Sequence, residues 1–477
     1  MMRNRILFLV TAALWLAGCS HRTAYNADGI FPDYSDITVP CNIAPLNFRV
    51  GNAGKVKVSV KDGEYLFKGR NGLVKFPLRK WHRMLDREKG NVLTVDVEWR
   101  DIDKGQDESR TFTWTVSTDS IDRYMSYRLI EPAYEVWSGI QIEQRDMESF
   151  RSVLLGDNRN AGQCCMNCHT SNRKGTSFMH LRGANGGTIL NRNGKTVKLD
   201  TRTDKTGNTV YGDISQDGRY GVFTTADITF AIHSRLDQRM EVYDKRSDLV
   251  VVDFDNLTVT DSPATSGEEY QETFPCFSAD CSTVFFCRAA HHDQPDSITD
   301  MHYDIAAVQF DPVTGKMGDR VITLVQAGDK LSFSHLKASP DGRWLMVTAA
   351  QYGTFPVWHR ESELWLVDID NRRIDVLPQV NAFGADTYHS WSSNSRWVVF
   401  ASKRDDLVYG RPYIVHIDGN GKAGKPFLLP QSDPDKYITT VKSFNLPELY
   451  SIPEVYNARE TASFYNSVEA THVQYQP

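Results

Sequence analysis

Between residues 38 and 117 hydrophobic and polar side chains alternate. Leu93, Val95, Val97 and Trp99 share one parity, as do Phe112, Trp114 and Val116, with polar residues between them. A period of two predicts half-buried strands. Lys61-Asp62-Gly63, Gly69-Arg70-Asn71-Gly72 and Lys104-Gly105 break the runs at short intervals, so residues 38–118 are expected to form a small antiparallel β-sandwich. Residues 119–177 have a different texture. Arg145 to Phe150 leads to Leu154-Leu155-Gly156, with Asp146 placed as an N-cap and Gly156 just past the end, which predicts a short helix in a linker.

From residue 178 to 445 two landmarks recur in phase. Ser215-Gln216-Asp217-Gly218-Arg219-Tyr220, Ser278-Ala279-Asp280-Cys281, Ser339-Pro340-Asp341-Gly342-Arg343-Trp344 and Trp391-Ser392-Ser393-Asn394-Ser395-Arg396-Trp397 each introduce an apolar strand. Each is followed by a strand closing on an aspartate: Val242-Tyr243-Asp244, Gln309-Phe310-Asp311, Leu366-Val367-Asp368 and His416-Ile417-Asp418. Repeated units of strands and tight turns at this length are propeller blades. A partial unit, Gly187 to Leu190 with Val197 to Asp200, precedes them, and Tyr437 to Phe444 follows as a lone strand. The expected fold is therefore all-β: a propeller of five or six blades, preceded by the sandwich and the helical linker. Five blades can be counted, and a sixth would have to be degenerate. Residues 446–477 are polar, contain Pro447 and Pro453, and read as an irregular tail.

Composition adds little to this. A net charge of −6 over 477 residues, with no Lys/Arg-rich run, argues against nucleic acid as a partner. The amino terminus changes the picture more. Arg3 and Arg5 precede an apolar run, Ile6 to Leu16, which ends in Leu16-Ala17-Gly18-Cys19. The run is too short to span a bilayer and reads as a lipoprotein signal peptide, residues 1–18. Cys19 is the expected lipid attachment site and residues 19–37 a tether. The lipid anchor predicts a bacterial outer-membrane location facing the periplasm, since Ser20 and His21 follow the cysteine without an aspartate that would favour inner-membrane retention.

One stretch names a chemistry. Cys165-Met166-Asn167-Cys168-His169 is Cys-x-x-Cys-His: two thiols spaced to add to the two vinyl groups of one porphyrin edge, followed by an imidazole for the iron. It predicts one covalent haem c held by Cys165, Cys168 and His169, in a polar loop between the two β units where a cleft would lie. A thioredoxin-like pair would need a βαβ surround, and a structural zinc site would need two more ligands at finger spacing. An inert or disulfide-bonded pair stays open. For the sixth iron ligand, alternation through a strand puts His180 on one face with Phe178 and Arg182, and Met179 with Leu181 on the other. His180 is the expected second axial ligand and Arg182 the partner of a propionate; His335 and His389 come next, then Met179. Cys41, Cys164, Cys276, Cys281 and Cys287 remain, an odd number in an oxidising compartment.

Taken together these features resemble exported lipoproteins that pair a TolB-like, WD40-like β-propeller with a Cys-x-x-Cys-His segment. In that group the segment is followed by Phe-x-His-x-Arg-Gly and Gly-Gly-Thr, matched here by Phe178, His180, Arg182, Gly183, Gly186, Gly187 and Thr188. The resemblance covers most of residues 120–445 and implies the fold and the haem, but no substrate. Two functions follow. One is a haem-bearing envelope protein that transfers electrons or binds a redox or envelope partner at the propeller face. The other is a haem-free module that binds a protein, peptide or glycan, with the cysteine pair structural. There is no Gly-x-Ser-x-Gly elbow, and no catalytic residue is assigned. Asp405-Asp406 and His291-His292-Asp293 read as solvated loop charge rather than a metal site.

Overall fold

The computed structural model describes residues 29–131, 139–232, 240–292 and 298–477; the expected signal peptide and Cys19 lie outside them. Six antiparallel sheets form a ring. Blade 2 comprises Met166–Ser171, Ser177–Leu181, Gly187–Arg192 and Lys195–Asp200. Blade 3 comprises Thr209–Ile214, Tyr220–Ile232, Met240–Asp253 and Thr258–Asp261, and blade 4 Tyr270–Phe277, Thr283–Ala290, Asp304–Asp311 and Lys316–Val325. Blade 5 is Ser332–Ala338, Trp344–Ala350, Glu363–Asp368 and Ile374–Asp375; blade 6 is Asp386–Trp391, Trp397–Ser402, Arg411–His416 and Phe427–Leu428. Blade 1 is built from distant parts: Tyr124–Ile130, Gln141–Asp146 and Ser152–Asp157, with Ser443–Tyr450 as its inner strand.

The sixth blade is thus the stretch expected as a helical linker. No helix forms over residues 145–155, where a hairpin pairs Arg145 with Ser152. Asp146 does accept from a nearby backbone N–H, that of Glu148 at 3.0 Å, but as the first residue of a turn. An N-cap and an Asx turn draw on the same side-chain chemistry. The expected lone strand is the inner strand of blade 1 and closes the ring. Inner strands contact one another from blade 2 through blade 6 to Ser443–Tyr450 and back to blade 2.

The recurring marker is the turn between a blade's first and second strands. Ser215 Oγ donates to Asp217 at 2.6 Å and accepts from the Tyr220 N–H at 2.9 Å. The same pair of bonds recurs at Ser278, Ser339 and Ser392. Where the first and third markers carry glycine at φ +73° and +77°, Cys281 and Ser395 adopt +57° and +59°. The turn geometry is kept, and the left-handed residue bears a cost of about 1–2 kcal/mol. The closing aspartate of blade 3 is Asp253, not Asp244: Asp253 pairs with Tyr220 as Asp368 pairs with Trp344. Strands 220–232 and 240–253 are much longer than their counterparts, which leaves Asp244 deep in the sheet.

The strands before the propeller form one eight-stranded sheet rather than the two layers of a sandwich. Its last pair, Ile37–Val39 on Asp107–Val116, is parallel. The unpredicted helix Leu78–Arg87 covers it through Trp81, Met84 and Leu85. The Trp81 and Trp114 rings meet edge-on at 5.4 Å. This core is continuous with that of the blades, joining Trp114 to Trp344 and Trp397. The carboxyl-terminal stretch is ordered: helix Ala458–Ser467 begins on an Asn457–Glu460 capping box, and Thr471–His472 and Gln474–Tyr475 add parallel edge strands to blades 2 and 3. Among the described residues no helix is long and apolar enough to cross a membrane.

Two outcomes follow. Truncation before Ser443 removes the inner strand of blade 1, and calorimetry should show the cooperative transition lost or broadened. Asp244 is buried, and burial raises its carboxyl from 3.8 to about 7. The folded chain therefore holds that proton more tightly than the unfolded one. Its contribution is complete below about pH 4 and lost as pH rises through 7, at most about 4 kcal/mol. Asp244→Asn should raise the melting temperature at pH 8 and leave it nearly unchanged at pH 4.

Candidate functional site

Each of the six inner strands carries one extra residue relative to its neighbour, and all six interruptions lie at the same height. They fall between Asn167 and His169, Thr209 and Gly212, Thr273 and Cys276, Ser334 and Lys337, Thr387 and His389, and Asn445 and Glu448. These are β-bulges, which re-aim side chains and end regular pairing. Cys168, Phe274, His335, Tyr388 and Leu446 take positive φ, +45° to +53°. With Tyr211 they border one cavity on the propeller axis, open to solvent at its ends. It is the waist of a channel, walled chiefly by aromatic rings and one thiol.

Two mouths open from this waist. On the side where the inner strands begin lies an apolar mouth of about 920 Å³, bordered by Cys165, Tyr211, Phe230, Trp358, Lys403 and Phe444 among others. On the opposite side the marker turns frame a polar mouth, where Lys337 meets Glu448 at 3.1 Å.

Met166–Ser171 is an inner strand, so Cys-x-x-Cys-His is neither in a loop nor at the junction of the two β units, which is filled by core. Cys165 borders the apolar mouth; Cys168 and His169 border the waist. Burial pushes the Cys165 thiol up to about 12 and Cys168 to about 11, so both stay protonated. The seven described cysteines are all free thiols. His169 is 7% exposed, and neither ring nitrogen has a hydrogen-bond partner. Burial, with the charges of Arg128 and Lys337, pulls it down to about 3. It is therefore a neutral imidazole with its lone pair uncommitted. Such an unpaired buried group is costly.

The other expected ligands separate. His180 is fully buried, with Nδ1 on Thr188 Oγ1 at 2.8 Å and Nε2 on the Val210 carbonyl at 2.9 Å. Both nitrogens are engaged, one within blade 2 and one on the adjoining inner strand of blade 3, so His180 is not offered to the channel. It packs on Phe178 at 4.8 Å, and Met179 and Leu181 face the core of blades 1 and 2, as the alternation predicts. Arg182 donates to the Thr209 carbonyl rather than facing an empty anion site. His335 and His389 do border the waist. His389 Nε2 is held by the Met346 carbonyl at 2.9 Å. His335 holds Ser334 Oγ with Nδ1 at 3.0 Å, and its buried Nε2 has no partner. Blade 5, which carries His335, is opposite blade 2 in a ring of six. His335, one of the next candidates from the sequence, reaches the waist at a bulge of its strand, which alternation along a regular strand does not anticipate.

Asp405 accepts from Tyr413 at 2.7 Å, and Asp406 caps the backbone of Val408 and Tyr409. Asp293 lies outside the described residues. Among the described residues no three His, Cys, Asp or Glu side chains are grouped to hold a metal.

No protein-family model matches the chain, and no curated protein does. Solved structures similar to it include a TolB-like protein from Agrobacterium tumefaciens, at 13% identity over 69% of this chain and 99% of that one, TM-score 0.37. A hypothetical selenium-binding protein from Sulfolobus tokodaii is similar at 9% identity over 74% and 97% of the two chains, TM-score 0.38. For prolyl oligopeptidase B from Galerina marginata the values are 10%, 56% and 38%, TM-score 0.35, so this chain spans well under half of that protein. The count of six blades rests on the sheet topology itself.

His180→Ala would leave the Val210 carbonyl unpaired and open a cavity beside Phe223. It should destabilise the fold by roughly 2–4 kcal/mol, read as a lower midpoint in urea denaturation. An unchanged midpoint would remove His180 from the blade's structural network.

Proposed function

We propose that this chain is an exported, lipid-anchored propeller carrying one covalent c-type haem in its channel, acting in electron transfer or haem-linked partner binding. One observation carries the reading. The residues of Cys-x-x-Cys-His all border the channel, and within it His169 presents two buried ring nitrogens without partners. Cys165 and Cys168 would hold the porphyrin through thioethers, and His169 would ligate its iron; His335, on the opposite blade with its Nε2 without a partner, would be the second histidine ligand. When bound, the haem supplies a one-electron couple tuned by axial ligand and burial.

The chain's own part is binding and exclusion of water. The aromatic waist lowers the local dielectric, and the neutral state of His169 keeps its lone pair available without prior loss of a proton. The Cys19 anchor fits the same reading, since haem is attached in this way outside the bacterial cytoplasm.

Co-expression with haem-maturation machinery should give a coloured chain whose haem survives acid-acetone extraction. Cys165→Ser with Cys168→Ser should be colourless with the melting temperature changed little, because the two thiols make no bond that holds the ring. His335→Ala should convert a low-spin spectrum to high-spin with the haem still attached. A colourless wild type with an intact fold would sink the haem and leave the channel as a binding site for a protein, peptide or glycan.

A further inference from the structure

The apolar mouth contains an amine that its walls leave without a hydrogen-bond partner. Lys403, at the end of the second strand of blade 6, is only 6% exposed, and its Nζ has no hydrogen-bond partner. The amine lies over the Trp358 ring, 3.0 Å from the centroid. Around it the mouth is lined by Ile228, Phe230, Val242, Phe355 and Phe444. Charged groups facing this region are Arg128 and Glu131 on the blade 1 wall, and Arg360 and Asp406 from neighbouring loops. Asp406 is already committed to the Val408 and Tyr409 N–H groups and lies 3.8 Å from Arg411. Burial pulls Lys403 well below the ordinary lysine range, Asp406 opposing and Arg360 adding to the fall.

An apolar cavity with one convergent, unsatisfied polar group is built for an apolar ligand with one matching group. The matching group for an amine is an anion, and with the Trp358 ring already covering one side of Nζ a carboxylate is the head group small enough to reach it. We propose that the apolar mouth binds a carboxylate carried on an apolar body, with Lys403 as its counter-charge. Binding then transfers a proton from solvent to the amine, forming an ammonium–carboxylate pair shielded from water. Two sources share this chemistry: a carboxylate of the porphyrin attached at Cys165 across the same mouth, or a free amphipathic acid. The proposal does not depend on the haem, and the test separates them.

Octanoate and octanol, equal in chain length and different in head group, are titrated calorimetrically into the full chain made without haem maturation. Octanoate is expected to bind roughly tenfold or more tightly than octanol, with a heat that varies with buffer ionisation enthalpy because a proton is taken up. Lys403→Met should erase the preference, and Lys403→Arg should keep it. No octanoate binding, equal affinity for both probes, or an unchanged preference in a folded Lys403→Met chain would each overturn the proposal. The haem-loaded chain identifies the source. Exclusion of octanoate assigns the carboxylate to the porphyrin, and retained binding assigns it to a free acid. A chain that stays colourless after maturation removes the haem reading and leaves the octanoate result standing.

Discussion

The structure depends on how six inner strands end their pairing at one axis. A four-stranded blade has a free inner edge, and six such edges converge where there is no space for a seventh sheet. Each strand resolves this with a bulge at the same height, and five of the bulges require a left-handed residue. None of those five is glycine. Cys168, Phe274, His335, Tyr388 and Leu446 each accept a strained backbone of about 1–2 kcal/mol. In exchange a side chain is turned onto the axis, where it packs on its neighbours: His335 lies 4.3 Å from Phe274 and 4.6 Å from Tyr388. Strain and packing are thus one feature seen from the backbone and from the side chains.

Because the waist is apolar, charge is sorted to its two ends. Imidazoles and thiols that border it are held neutral by burial. The Lys337–Glu448 pair sits where the waist meets the polar mouth, and each charge has its partner there. At the apolar mouth Lys403 has none. A second ion pair secures the long blade 3 hairpin across that mouth: Glu241 meets His359 at 2.9 Å, both about 1% exposed. There the carboxylates of Glu241 and Glu361 outweigh burial and hold His359 up to about 9, so the imidazole stays protonated at neutral pH. The difference between the two buried basic groups is the presence of a carboxylate, which is the reason Lys403 points to a ligand and His359 to a structural tie.

What the sequence made legible was local. The Ser-x-Asp-Gly marker specifies its own turn within six residues, so four blades could be placed from it, even where Cys281 and Ser395 replace glycine. Blade 1 was hidden because its inner strand lies about three hundred residues from the other three, and its hairpin turn at Asp146 uses the same chemistry as a helix start. Asp244 was mistaken for a closing aspartate because a long hairpin displaced the true one, Asp253. The helix Leu78–Arg87 did leave a signal: Trp81, Met84 and Leu85 at helical spacing after Pro77, inside a stretch otherwise read with period two.

The candidate site shows the same division. Its residue types were readable, and their directions were not. In an unbroken strand Cys165 and Cys168, three apart, face opposite sides, and Cys168 and His169 do as well. With one extra residue at Cys168, that residue and His169 both border the waist, while Cys165, just ahead of the strand, borders the apolar mouth. The same device in blade 5 brings His335 to the axis, while His180, in a regular second strand, keeps the alternation and is spent on Thr188 and Val210. The bulge that brings Cys168 and His169 to one cavity therefore follows from closing the ring, since the other five inner strands carry it without the motif.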